Sequence, residues 1–279
     1  MDLQAYRAKI RRGFRQNTKD GVVYFTIPSF EELGFLRHGF MSRIGGVSRG
    51  CFSSLNLSFK REQDEKNIFE NFKIAAKTLE IDPESLVLCH YEHGTNIAFA
   101  GQEHFGMGIW RENTLPFCDG VAVSEPGVTA VTIHADCNPI FFADKKGRAA
   151  GVCHAGWRGT YGDVIATIVR KFREEKGIRP EEILFGIGPS IGPCCFEVQE
   201  DVGGKFREKF GGLVLEHREG RMYVDLWSVL LLQMEAHGVP PENVTLSGLC
   251  TYCNTDLFYS YRRDHGQTGA MGSFIQIQR

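Results

Sequence analysis

No run of this chain is long and apolar enough to cross a bilayer; Val229-Leu230-Leu231-Leu232 is short and sits in a helical pattern. The N-terminus lacks an apolar signal core. Charge of one sign is also missing. The net charge is −2, which gives no electrostatic case for nucleic-acid binding. There is no Gly/Ser or charge-run linker, no low-complexity stretch and no short repeat. No Ser-His-Asp hydrolase elbow occurs, and Gly186-Ile187-Gly188 does not complete a dinucleotide fingerprint. The nine histidines are scattered without repeated His-x-His pairs, which speaks against a trinuclear copper cluster.

What remains is an ordinary globular composition: 279 residues, 42% apolar and 24% charged. That length suffices for one large core or two modest domains. Nine cysteines, an odd number, read as reduced thiols and predict a cytoplasmic protein. Residues 1–20 are basic, with Arg7, Lys9, Arg11, Arg12, Arg15 and Lys19. The pattern mimics a transit peptide but predicts a solvated N-terminal extension or a first helix, with the folded domain over 21–279.

Val22 to Ile27 and Phe35 to Met41 read as strands. Asp64 to Leu79 reads as an amphipathic helix, because Ile68, Phe72, Ala75 and Leu79 recur every three to four residues. Short strands over Leu86–Cys89 and Thr95–Ala100 flank His93. Further helices are predicted over about Tyr161–Lys176, stopped by Gly177, over Glu197–Phe210, weakened by Gly203-Gly204, and from Asp225 through Ala236. Strands over Ile183–Ile187, Met222–Asp225, Val244–Ser247 and Ser273–Gln276 complete a single mixed α/β domain.

The chemistry concentrates between Val131 and Thr160. Val128–Ile133 and Ala149–Val152 read as buried strands, with the charged turn Asp144-Lys145-Lys146-Gly147-Arg148 between them. One sheet holding both would bring Cys137 and His154 together. Thiolate and imidazole are ligands that zinc or another borderline-soft cation prefers.

His134-Ala135-Asp136-Cys137-Asn138-Pro139 followed by His154-Ala155-Gly156-Trp157-Arg158-Gly159 resembles the signature of the laccase-domain, or YfiH-like polyphenol oxidase, family. Ser42-Arg43-Ile44-Gly45-Gly46-Val47-Ser48 with Ser54-Leu55-Asn56-Leu57 is similar to that family's N-terminal motif. Glu92-His93-Gly94-Thr95 stands where it usually has Gln-Val-His-Gly, and residues 186–195 and 258–263 are similar to its later motifs. The likeness covers about Tyr24 to Ile277 and implies a layered α/β/β/α fold. Two departures stand out. His134 replaces a more usual threonine, and Ala270 replaces the arginine of a Thr-Gly-Arg motif, which would shift specificity if that arginine helps bind substrate.

With the resemblance, His93, Cys137 and His154 become the expected metal ligands. Three protein ligands leave one position open, as in catalytic rather than structural zinc sites, and zinc there would lower the pKa of bound water. The bland alternative makes Cys137 a small buried hydrophobe and the histidines satisfied core or surface residues. Cys89, His90 and His134 are competing ligands by proximity. Cys153, next to His154 on a strand, faces the other way and belongs to the core. Cys250-Thr251-Tyr252-Cys253 alone would be half a zinc site or a redox pair. With no second C-x-x-C it reads as two ordinary thiols, and Cys194-Cys195 as structural thiols.

Arg43 and Arg158 are candidates to grip phosphate bidentately, helped by the amides of Gly156 to Thr160 at a helix start; the alternative for each is a structural ion pair. Asp136 is a candidate to orient a ligand or move a proton, or equally to cap a turn. Asp119 is a second candidate for the same roles.

The resemblance implies a zinc-dependent purine nucleoside enzyme. It would carry out phosphorolysis of adenosine, inosine, guanosine or methylthioadenosine and deamination of adenosine. Its partners would be nucleoside and phosphate, without nucleic acid or membrane. Zinc deaminases add hydroxide to C6 of adenine and use a nearby glutamate; Glu92, beside His93 on a strand, points apart and is not assigned. Alternatives are a copper-dependent polyphenol oxidase, a cysteine hydrolase with Cys137 as nucleophile and His154 as base acting on peptidoglycan precursors, and a zinc-stabilised binding module. An open site argues against the last, because structural sites are closed.

Overall fold

The computed structural model describes residues 2–60 and 62–278. Two sheets pack face to face. One has seven strands, in the order Arg11–Arg12, Val244–Leu246, Ile183–Ile187, Asn138–Asp144, Ala150–Ala155, Gly120–Val123, Ile97–Ala100. The other has six, in the order Arg15–Lys19, Val22–Thr26, Leu36–Met41, Met271–Ile277, Thr129–His134, Leu86–Leu88. A small third sheet pairs Glu197–Val198, Arg221–Val224 and Leu215–Arg218.

Period-two alternation decides what each strand face covers. Along Asn138–Asp144, Phe141 and Ala143 enter the core between the sheets. Ile140 and Phe142 enter the core shared with helices Val164–Lys176 and Leu226–Ala236. A strand buried on both faces reads as a near-continuous apolar run. Beyond the six-stranded sheet, Met41, Val131 and Phe274 pack on Ile68, Phe72 and Ala75 of helix Glu65–Thr78. The layers therefore run helix, sheet, sheet, helix, in the expected α/β/β/α order.

Local signals place the helices. Asp64, Asp163 and Asp225 each accept a backbone N–H at a helix start, and Gly177 closes Val164–Lys176 in the left-handed conformation, φ +62. Asp163 is itself left-handed, φ +64, so the expected helix from Tyr161 is split into Trp157–Tyr161 and Val164–Lys176. No helix among the described residues is long and apolar enough to cross a membrane.

One expectation changes. Val128–Ile133 and Ala149–Val152 do not share a sheet: Thr129–His134 lies in the six-stranded sheet and Ala150–Ala155 in the seven-stranded one. The strand that accompanies Ala150–Ala155 is Asn138–Asp144. Pro139 concealed it, since a proline cannot donate to a ladder and argues against an interior strand.

The basic segment takes the first-helix alternative and is packed against the domain. Helix Leu3–Lys9 buries Tyr6, whose hydroxyl donates to the Val239 carbonyl at 2.8 Å. Arg11–Arg12 pairs in parallel with Thr245 and Leu246. Arg15–Lys19 forms a hairpin with Val22–Thr26 through Asp20 and Gly21, φ +51 and +81. This edge strand is polar because much of it faces solvent, so it carries no apolar pattern.

His38, on Leu36–Met41, is buried between the sheets. Its Nε2 accepts the Ile27 N–H at 2.8 Å. Burial disfavours the charged ring and lowers its pKa from 6.5 to about 3. Below pH 6.5 the unfolded chain takes up the proton and the folded chain does not. Stability is therefore full above pH 6.5 and falls as the pH drops toward about 3, by about 1.4 kcal/mol per pH unit. His38→Gln should be less stable at neutral pH but lose stability less steeply on acidification. Urea unfolding at a series of pH values checks this; parallel declines would refute it.

Candidate active site

The chain crosses between sheets at Ala135–Cys137, leaving the six-stranded sheet at His134 and entering the seven-stranded one at Asn138. A cleft of about 440 Å³ opens there, lined by His93, Cys137 and His154 among others. Register explains the meeting. His154 pairs with Pro139 and Ala155 with Asn138, so Cys137 stands beside the end of His154's strand. Gly156 lies between the three side chains. A Cβ there would stand 3.2 Å from Cys137 Sγ, 3.7 Å from His93 Cδ2 and 3.9 Å from His154 Cε1. The His93 and His154 rings are perpendicular, centroids 5.2 Å apart. Among the described residues, the one His/Cys/Asp/Glu group with ligand atoms all within 4.8 Å of one another is Cys194, Cys195, Cys250 and Cys253. The His93, Cys137 and His154 set is more open than that.

Asp119 organises the histidines. It is fully buried. Its Oδ1 accepts the His93 N–H and its Oδ2 the Gly94 N–H, both at 2.7 Å. These bonds hold His93 in the left-handed region at φ +61, which non-glycine residues seldom adopt. Asp119 Oδ1 also stands 3.7 Å from His154 Nδ1, a buried atom that makes no hydrogen bond. Burial pushes the Asp119 carboxyl up, but its contacts with His154, Gly94 and His93 outweigh this and hold it below the usual range. For His154, burial works downward, yet the charges of Cys137 and Asp119 push it up to about 9. His93 is lowered by burial and by His154.

His134 does face the cleft. It stacks on His154 with centroids 5.5 Å apart and pairs through Nε2 with Thr132 Oγ1 at 2.8 Å; burial drives it well below its ordinary value. Tyr91, which sequence reasoning missed, packs its ring 4.8 Å from His154 and bonds through its hydroxyl to the Ile133 N–H. Cys89 and Cys153 are core residues, and His90 packs on Phe117.

Asp136 borders the cleft at φ +87 with its carboxylate occupied. It accepts from Thr251 Oγ1 at 2.6 Å, Ser260 Oγ at 3.0 Å and the Arg262 N–H at 2.7 Å. Burial raises its pKa against these bonds. It pins the crossing segment to two later loops.

Neither Arg43 nor Arg158 lines this cleft; Lys60 and Arg262 do. Arg43 donates to the Ser53 carbonyl at 2.8 Å and lies over Tyr259. Arg158 is exposed, 4.5 Å over the Trp157 ring, and close enough to help lower His93. Arg262 was legible only as part of the motif over 258–263. Ala270, at the position where arginine was expected, lines the cleft.

The turn bearing His93 packs tightly on the segment after His154. A Cβ on Gly159 would stand 2.5 Å from the Gly94 carbonyl oxygen. Gly159→Ala should therefore displace the His93 turn and cost about 1–3 kcal/mol. An unchanged unfolding midpoint would refute this.

An α/β/β/α sandwich with a cysteine and histidine cleft where the chain changes sheets defines the class of protein. The chain belongs to the family described as multi-copper polyphenol oxidoreductase laccase, whose model matches residues 37–278. It is 36% identical over 242 residues to the purine nucleoside phosphorylase YlmD of Geobacillus stearothermophilus, across 85% of this chain and 88% of that protein. It is 31% identical over 248 residues to the purine nucleoside phosphorylase LACC1 of Homo sapiens, across 86% of this chain and 55% of that protein. The crystal structure of YlmD from Geobacillus stearothermophilus matches with a TM-score of 0.88 at 32% identity, over 95% of this chain and 99% of that one. That of the hypothetical protein YfiH from Bacillus licheniformis matches at 0.86 and 29% identity, over 95% and 99%.

Proposed function

We propose that this protein is a purine nucleoside phosphorylase, with nucleoside and inorganic phosphate meeting in the cleft and zinc held by His93, Cys137 and His154. One observation carries the reading: a cysteine and two histidines from three separate segments converge around Gly156, in a cleft that also presents Lys60 and Arg262. The relatives named as purine nucleoside phosphorylases support it.

The residues fit the cation. One thiolate and two imidazoles form a set that zinc takes readily, and copper also. The carboxylate of Asp119 facing His154 Nδ1 is the kind of arrangement that orients metal-binding histidines. Held there, zinc would supply Lewis-acid polarisation of a ligand atom.

Phosphorolysis exchanges the bond from C1′ to the purine for one from C1′ to a phosphate oxygen, and the purine leaves with a proton. Lys60 and Arg262 bring positive charge to the phosphate, and Arg158 adds to the field near His93. Tyr91, Ile133 and Phe196 provide apolar wall for a flat base. Deamination of adenosine in the same cleft would instead add water at C6 of the purine and release ammonia, leaving the C1′ bond intact.

Metal-analysed protein incubated with adenosine should yield adenine and ribose 1-phosphate only when phosphate is present. Inosine formed without phosphate would mark deamination. Neither product, together with copper-dependent oxidation of a phenol, would overturn the proposal.

A further inference from the structure

We infer that Cys194, Cys195, Cys250 and Cys253 form a second metal site, a closed tetrathiolate site for one zinc ion, separate from the cleft. The two pairs lie in the loops that follow neighbouring parallel strands, Ile183–Ile187 and Val244–Leu246. Both loops leave the same end of the sheet, and a bridge between Ser190 and Cys250 keeps them together. The four sulfurs all lie within 4.8 Å of one another. Cys253 Sγ is 3.4 Å from Cys195 Sγ and 3.7 Å from Cys194 Sγ.

A tetrahedron of thiolates at the usual zinc–sulfur length of about 2.3 Å has edges of about 3.8 Å. The separations of Cys253 Sγ from Cys194 Sγ and Cys195 Sγ are close to that edge, and all four thiols are free. Protonated thiols attract one another weakly, being poor donors and poor acceptors, so mutual bonding gives little reason for four to gather.

The surrounding backbone suits thiolates. The Gly192 N–H donates to Cys250 Sγ at 3.2 Å. Gly192 also lets the loop come this close: a Cβ would stand 3.3 Å from Cys194 Sγ and 2.9 Å from the Trp227 ring. Four sulfur ligands select a soft or borderline cation over magnesium or calcium. With every position filled by protein, the site is of the structural kind.

Its role follows from Thr251, inside the Cys250-to-Cys253 turn. Thr251 Oγ1 donates to Asp136 Oδ1 at 2.6 Å, and the Ile191 N–H donates to the Asp136 carbonyl at 2.9 Å. A cation joining the two loops would thereby brace the segment that carries Cys137 without touching substrate.

The test compares zinc content by mass spectrometry in the full chain, purified reduced with zinc supplied. Cys137→Ala alone isolates the site from the cleft. Adding Cys194→Ser and Cys253→Ser to it should remove one further zinc per chain. Zinc-edge X-ray absorption of Cys137→Ala should show four sulfur neighbours at about 2.3 Å. Should the triple variant fail to fold, Cys137→Ala by itself gives an independent reading: adding a chelator should make four protected thiols reactive.

Equal zinc with and without the two serines would overturn the inference. So would nitrogen or oxygen neighbours in the Cys137→Ala spectrum, or disulfides among these four cysteines under the same conditions. None of these readings depends on nucleoside turnover, so they stand apart from the proposal for the cleft.

Discussion

Cys137→Ala is expected to abolish zinc binding in the cleft and to reduce phosphorolysis by more than about 100-fold, with the fold retained. The side chain is half-buried at the sheet crossing, and alanine removes a single sulfur, so little packing is lost. The chemical loss is larger. Changes to groups that merely support a metal ligand cost about 10–100-fold, and Cys137 is proposed as a ligand itself. Zinc analysis separates this from the other role open to a cysteine beside a histidine. A nucleophile paired with His154 would leave cleft zinc in place while turnover falls; a ligand takes both together. Full zinc and full turnover in the variant would end the assignment.

Asp119→Ala should damage stability and activity at once. The carboxylate is fully buried and accepts two backbone N–H groups at 2.7 Å. Both bonds are only part-buried and His93 is exposed, so water satisfies part of the freed donors and a loss of about 1–3 kcal/mol is expected by urea unfolding. His93 would also lose the bond that holds its left-handed conformation, and His154 the group that faces its Nδ1. Turnover should fall about 10–100-fold, the range for a support behind a metal ligand. Asp119→Asn offers no rescue, since its amide nitrogen would face one of the same N–H donors. Wild-type stability in either variant would refute this account.

Much of the molecule is written locally. Ile68, Phe72 and Ala75 fall on one face of a helix, and Asp64, Asp163 and Asp225 cap helices that begin at the next residue. Cys137 and His154 stood out because their residue types at the ends of apolar runs are uncommon together. The role of Asp119 was not legible, because nothing in its neighbours shows that it reaches back to His93. Tyr91 likewise read as an ordinary residue, and Arg262 stood out only through its motif, until the cleft had walls.

By itself, the sequence determined the main helices to within a few residues, most of the strands, and the metal-competent character of Cys137 and His154. These rest on interactions spanning a few residues, where periodicity and side-chain type suffice. Only the tertiary structure decided that Thr129–His134 and Ala150–Ala155 belong to different sheets, that Pro139 lies in a strand, that Arg11–Arg12 and Arg15–Lys19 each join one of the two sheets, and that Cys194 and Cys195 meet Cys250 and Cys253. Strand order and side-chain convergence are set by contacts between distant segments, and no local pattern encodes which distant segment a strand or a thiol will meet.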